Sequence, residues 1–445
     1  MVNRQLSNSP DQPIRGQVDI QSDVSTPPKD ENSPLLGKPL IIDPVDDDIV
    51  ALPIEEALDP LTPPVQLPPL RRAIFTMLPL FMGYATMVTL QAHIKHRLDI
   101  GNNGSASSYE FSFATSLIYF ANLVFRLMHN VIFSMLRPRY RVCVAYTCMG
   151  SACAILGFAY YVFESMALTW TYVAYLLAGV AVGTFESNLI SCITPLGHGT
   201  KVWAQYGIPL GFSGISIGAF GLFAFYPGDL KLQMSVYFFV ALANMCGLVF
   251  WLVAIPDITF ESTAQSIRHF GSDIKQFKQW IILVLPYACS LFVDMFAVSM
   301  FSAIQLFIYD IPSIPLWPGA TMCFSKDVFR VLFNLGSMMG DASGRKLAYW
   351  TPRHIRPYLF LVLSVAGGAC ILSKVAILAP IGMVMVMHAN GEVYAHATKY
   401  IDDKVPRRFN LIGLSFWLFV GDIGSFAGAN AVNAVRVVVG GVAKP

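Results

Sequence analysis

From residue 73 onward, apolar stretches long enough to cross a bilayer follow one another with only short polar breaks between them. Crossing the hydrocarbon layer as a helix takes about 20 residues. Backbone groups in lipid must also be satisfied within the segment itself, which leaves a helix for each stretch. Eleven such segments can be placed, at about 73–95, 110–136, 142–164, 168–192, 204–226, 233–255, 280–308, 323–349, 357–378, 380–400 and 408–436. The composition supports this, with 55% hydrophobic and only 13% charged residues. A soluble domain carries about twice that charged fraction.

The longest break, Pro256 to Gln279, divides the segments into six and five. The expected organisation is a disordered cytoplasmic tail at 1–70, a first bundle at 71–255, a cytoplasmic loop at 256–279 and a second bundle at 280–440. The tail is polar and rich in Pro, Asp and Ser, and it has no apolar run of the kind a secretory signal needs. Basic residues crowd alternate connections: Arg71 and Arg72, Arg137 to Arg141, Lys201, Arg268 to Lys278, Arg353 and Arg356, Lys404 to Arg408. Short basic loops stay on the cytoplasmic side, which places both the tail and the 256–279 loop there. The sequon Asn103-Gly104-Ser105 then falls in an outer loop, making Asn103 a glycosylation candidate.

Several function classes are excluded or disfavoured. A net charge of +2 over 445 residues gives no surface for nucleic acid. The eight cysteines sit mostly in apolar runs, with no CxxC or metal-ligand spacing. They are expected as packing residues, with no metal and no cofactor. No Gly-rich phosphate loop is present, which argues against an ATP-driven pump.

Ionisable residues inside the apolar segments are the functional signal, because each costs at least about 2.5–3.5 kcal/mol in lipid without a partner or a cavity. They are Arg126, Glu186, Asp294, Asp341, Arg345, Glu392 and Asp422. At about 100° per residue, Asn334, Asp341 and Arg345 fall within about 40° of one another, whereas Gly336, Gly340 and Gly344 form a ridge on another face. The ridge lets another helix approach. The stripe is then expected on a water-filled path, where Asp accepts hydroxyls and Arg offers a rigid fork of donors. A self-satisfied i,i+4 ion pair is the alternative. Gly207, Gly211, Gly214, Gly218 and Gly221 predict a second close-packing seam, on one neighbour.

Phe333-Asn334 followed by Gly340-Asp341-Ala342-Ser343-Gly344-Arg345 resembles the eighth-helix signature of equilibrative nucleoside transporters, which ends in Asp-x-x-Gly-Arg. Gly83-Tyr84-Ala85-Thr86, Gly211-Phe212-Ser213-Gly214 and Asn390-Gly391 extend the likeness along the chain, as does the eleven-helix plan. The resemblance implies transport of nucleosides or nucleobases by alternating access, with Asp341 and Arg345 holding the solute. The family's first-helix Pro-Trp-Asn aligns with Thr89-Leu90-Gln91, so the aromatic partner is missing, while its fourth-helix Gln is replaced by Glu186 and its Asn before the Asp by Met338, with Asn334 one turn away. Glu186 can carry a proton where a Gln cannot, and Asp294 is the next candidate for proton coupling.

The expected fold is therefore all-α, about eleven transmembrane helices arranged 6+5 in a major-facilitator-like bundle. The expected function is a non-enzymatic transporter, by facilitated diffusion or with proton coupling. Alternatives are a battenin-like lysosomal carrier and a transporter-like protein that signals or scaffolds. An intramembrane aspartyl protease using Asp310 and Asp341 fits the motif poorly. The expected partners are a small solute and the lipid bilayer. Glu31, Leu35 and Leu36 form an acidic dileucine pattern that a clathrin adaptor could read. This predicts an endosomal or lysosomal membrane, with the plasma membrane as the alternative.

Overall fold

The computed structural model describes residues 68–100, 106–226, 228–257, 275–309, 311, 313–352 and 355–439. The chain divides into Met1–Pro63 and Pro64–Pro445, and every described residue belongs to the second unit. Asn103, Glu31, Leu35, Leu36 and Asp310 lie outside the described residues.

Twelve helices carry the fold among these residues: α1 (Ile74–Thr89), α2 (Gln91–Arg97), α3 (Ala106–Ile132), α4 (Pro138–Leu156), α5 (Thr169–Ile193), α6 (His198–Phe225), α7 (Leu230–Ala254), α8 (Ile281–Ile308), α9 (Lys326–Trp350), α10 (Leu361–Leu372), α11 (Leu378–Lys404) and α12 (Asn410–Val439). All eleven expected segments are present. The first is two helices, because Leu90 leaves helical geometry at φ −94°, ψ 3° between α1 and α2. The third continues past α4 through a π-helical turn at Gly157–Val162. The loop after α8 holds a feature that the apolar pattern did not predict, a short antiparallel pair of β1 (Ser313–Pro315) and β2 (Cys323–Ser325).

Seven helices are long and apolar enough to cross a membrane by composition: α3, α4 with its π turn, α5, α6, α7, α8 and α12. The protein is an integral, multi-pass membrane protein. Of the rest, α10 is short, while α9 and α11 carry Asp341, Arg345 and Glu392 in their interiors. Large apolar side chains such as Phe113, Phe120, Leu242, Val253, Ile282 and Val365 are exposed on the outside of the bundle. Inside an apolar solvent that surface needs no cover.

Among the first seven helices, α1 packs on α6 and α7, α3 on α5, and α4 on α5 and α7. Among the last five, α8 packs on α12, α9 on α11, and α10 and α11 on each other and on α8. The two sets meet where α6 touches α9 and where α3 and α5 touch α12.

Glycines set two of these approaches. On α9, a Cβ at Gly336 would lie 2.7 Å from the Pro380 carbonyl oxygen, and one at Gly340 would lie 3.0 Å from the His388 nitrogen. Gly391 of α11 reciprocates against the Asp341 carbonyl and the Arg345 nitrogen. The ridge therefore holds α11 against the backbone that carries the Asp-Arg motif. The expected seam on α6 is only half realised. Gly207 and Gly211 press on Ile74 and Leu78 of α1, whereas nothing lies within 4 Å of a Cβ at Gly214, Gly218 or Gly221. Beyond Gly211, α1 and α6 part, and Gly214 and Gly218 line an apolar groove of about 490 Å³ with α1 and α7.

Basic residues at the connections cap helix ends. Arg139 donates to the Leu252 and Ile255 carbonyls at 3.0 Å each and lies over the Trp251 ring. Arg141 donates to the Phe133 and Leu136 carbonyls. Each supplies donors to carbonyls at a helix terminus that lack intrahelical partners.

Candidate functional site

The ionisable residues placed inside the bundle gather into a network that runs across both helix sets. On α3, Ser112, Thr115, Tyr119 and Arg126 share one face, within about 60° at 100° per residue. Arg126, 2% exposed, reaches two carboxylates from that face. Its Nε donates to Asp422 Oδ2 of α12 at 2.7 Å, and its Nη1 lies 3.1 Å from Glu186 Oε2 of α5. The Tyr394 hydroxyl of α11 donates to the other Glu186 oxygen. The same ring carries the Arg345 guanidinium on its face, 4.3 Å from the centroid, with Trp417 edge-on at 4.9 Å.

Arg345 completes the chain by clasping Asp341, Nε to Oδ1 at 2.7 Å and Nη2 to Oδ2 at 3.2 Å. Both residues are 2% exposed. The expectation that this stripe opens on a water-filled path is therefore corrected: the close approach of α11 along the glycine ridge leaves the pair buried. One donor is left over, since Arg345 Nη1 is buried without a hydrogen-bond partner. Asn334 sits two turns away, half-buried, and its amide donates to the Arg330 carbonyl.

Asp294 is fully buried and accepts from Asn390 at 2.6 Å and Ser364 at 3.5 Å. No Lys, Arg or His among the described residues forms an ion pair with it. Glu392, also buried, lies between His396 at 3.2 Å and His388 at 3.8 Å.

At the end that carries the basic connections, polar bonds tie the two sets together. Lys201 of α6, with no exposed surface, donates to Asp402 of α11. Thr194 and Asn410 donate to the same carboxylate. His198 meets Asp403 at 2.9 Å, and Gln205 donates to Thr398 at 3.2 Å. At the opposite end a cavity of about 400 Å³ opens, lined by Gln91, Lys95, Phe111, Ser112, Thr115, Ser116 and Tyr119. Gln91 thus belongs to this cavity rather than to the ion network. Tyr84 of α1 lies within electrostatic reach of Tyr119, Arg126, Glu186 and Asp422.

Sequence reasoning found the charged members of the network and weighed the Asp341–Arg345 pair, but it did not find the pairing of Arg126 across helices, and it missed Tyr394, Lys201 and Asp402 as site residues. Only the four-residue spacing of Asn390, Tyr394 and Thr398 on α11 marks that face in the sequence. Lys201 and Asp402 read as ordinary loop charges, because they lie at helix ends.

No family model matches the chain, and no curated relative is detectable from its sequence. Solved structures do match it. The E. coli fucose:proton symporter FucP, as a single-residue variant, superposes with a TM-score of 0.59 at 13% identity, covering 83% of this chain and 92% of that one. The outward conformation of FucP, a major facilitator superfamily transporter, gives 0.58 at 14%, covering 83% and 91%. The human organic anion transporter MFSD10 gives 0.57 at 12%, covering 85% and 95%. At these identities the likeness is one of fold: the chain adopts a major-facilitator-like helical bundle.

Proposed function

We propose that this protein moves a small polar solute across its membrane by alternating access, and that the solute is a nucleoside or nucleobase. One observation carries the transport reading: at one end the two helix sets are tied by polar bonds from α6, and from Thr194 just after α5, to α11, while at the opposite end a cavity lined by α2 and α3 opens. The bonds that tie them, Lys201 to Asp402 and Gln205 to Thr398, are reversible, so the same two sets can part there and close over the cavity. On this reading the two sets are the moving bodies, 71–255 and 280–440.

The solute class rests on the Asp-x-x-Gly-Arg motif of α9 and on charge. Asp341 and Arg345 supply an acceptor for hydroxyls and a fork of donors, with Arg345 Nη1 unused. Buried carboxylates outnumber buried guanidiniums around the network, which disfavours an anion. The structural neighbours handle fucose with a proton and organic anions. A ribosyl ring shares with fucose a set of hydroxyls on an uncharged ring. Glu186 and Asp294 are the candidates for carrying a proton with it, and Gln91 and Asn334 are assigned to the path that the solute follows. The expected membrane is endosomal or lysosomal.

Uptake of tritiated uridine and uracil into liposomes containing the purified protein tests the reading. Saturable uptake that unlabelled nucleoside suppresses is the expected result. Uptake no greater than in protein-free liposomes for the whole panel of nucleosides and nucleobases would refute the solute class.

A further inference from the structure

We propose that Glu186, Arg126 and Asp422 together form a binding site for one proton, shared between the two carboxylates, and that its occupancy decides whether α3 and α12 stay linked. The inference rests on the transport reading above and deepens it, since it converts facilitated diffusion into proton-coupled movement.

The argument is one of charge and place. Arg126 carries a single positive charge and sits between two carboxylates from two other helices, at 2.7 Å and 3.1 Å. The side chains are 3%, 8% and 16% exposed for Arg126, Glu186 and Asp422. With both acids ionised the cluster holds one uncompensated negative charge, which is costly in a site this dry. The groups facing it do not supply the missing charge. Tyr394 from α11 donates a neutral hydrogen bond to Glu186. Arg345 from α9 is already neutralised by Asp341. Tyr84 from α1 and Tyr119 from α3 are neutral phenols. His129 on α3, one turn beyond Arg126, gives its Nδ1 to the Phe125 carbonyl. One proton balances the cluster.

The site has a defined entrance and a defined consequence. Asp422 is the most exposed of the three, and Tyr84 is within electrostatic reach both of Asp422 and of Tyr119, which lines the cavity. A hydronium ion in the cavity gives its proton to an Asp422 oxygen, its own O–H bond breaking as the carboxyl O–H bond forms and a neutral water being left behind. Arg126 then pairs with Glu186 alone. Because Arg126 belongs to α3 and Asp422 to α12, this step releases an ion pair between the two helix sets. Passing the proton to Glu186 restores the Arg126–Asp422 bond.

Infrared difference spectroscopy of the purified full-length protein between acidic and alkaline pH tests this without any transport. The expected result is an acid-form carboxyl band in the wild type that disappears in Glu186→Gln and equally in Asp422→Asn, because either amide leaves Arg126 with one balancing carboxylate. Asp294→Asn should retain it. A wild type with no titrating carboxyl band overturns the proposal without any variant. A band that survives both substitutions, or that only one of them removes, overturns the shared site and places the proton elsewhere or on one acid alone. Absence of wild-type uridine uptake in liposomes would instead count against the solute class and leave the spectroscopic result standing.

Discussion

Tyr394 binds Glu186 through its hydroxyl and Arg345 through its ring face, so one side chain of α11 couples an acid of α5 to a base of α9. The two contacts can be separated by mutation. Tyr394→Phe keeps the ring beneath the guanidinium and removes only the donor to a buried carboxylate. A hydrogen bond to a charged group contributes about 1.5–3 kcal/mol, so a loss of that order is expected in chemical or thermal unfolding in detergent. Tyr394→Ala should lose more, because the cation–π contact and the Trp417 edge go as well. Equal stability of the Phe and Ala variants would show that the ring contributes nothing.

The Asp341–Arg345 clasp poses the question of bracing against binding. If the pair only satisfies itself, Asp341→Asn and Arg345→Gln each leave a buried unpaired group and destabilise the protein, while the double change recovers folding and uptake. If it holds the solute, Asp341→Asn and Arg345→Lys fold normally but each weakens uptake by about 1.5–3 kcal/mol of binding. The double change is then no better than either single one. The second pattern is expected, since Arg345 keeps Nη1 free, and full uptake by the double variant at matched abundance would exclude it.

Lys201 and Asp402 are buried at the basic end, where breaking one side leaves a charge without its partner. Lys201→Met or Asp402→Leu alone should cost about 3–5 kcal/mol, and the two together much less. The paired variant should also shift the protein toward opening at that end, read as faster labelling of a cysteine introduced at Gln205. Unchanged labelling would mean that the ladder does not gate the end.

Gly344 lies where a Cβ would meet the carbonyl of His388 and would come within 3.1 Å of the Glu392 nitrogen. Both obstacles are backbone, so neither can rotate away. Gly344→Ala is expected to destabilise by about 1–3 kcal/mol, the usual range for overpacking. The same change at Gly218, where nothing lies within 4 Å, should be neutral or slightly stabilising. Thermal unfolding of the two variants side by side checks the contrast.

The tail makes its own prediction. Changing Leu35 and Leu36 to Ala should move a fluorescently tagged protein from endosomal or lysosomal membranes to the cell surface. An unchanged distribution would remove the motif as an address.

Much of this was written in the chain itself. Twenty-residue apolar runs can satisfy their backbone in lipid only as helices, so the eleven segments, the all-α class and the break after α7 were legible residue by residue. The charged members of the site were equally legible, because Arg126, Glu186, Asp341, Arg345 and Asp422 stand out against apolar neighbours. Pairing was not. Arg126 and Asp422 are almost three hundred residues apart, and no local pattern tells a guanidinium which of several carboxylates it will meet. That choice depends on how α3, α5 and α12 pack. The α6 glycines show the same division: their spacing announces that a helix can come close, but only the parting of α1 from α6 beyond Gly211 decides that half of the seam stays open. Burial, too, was decided by packing. The Asp341–Arg345 stripe faces away from its glycines along α9, yet α11 comes so near through those glycines that the pair is enclosed.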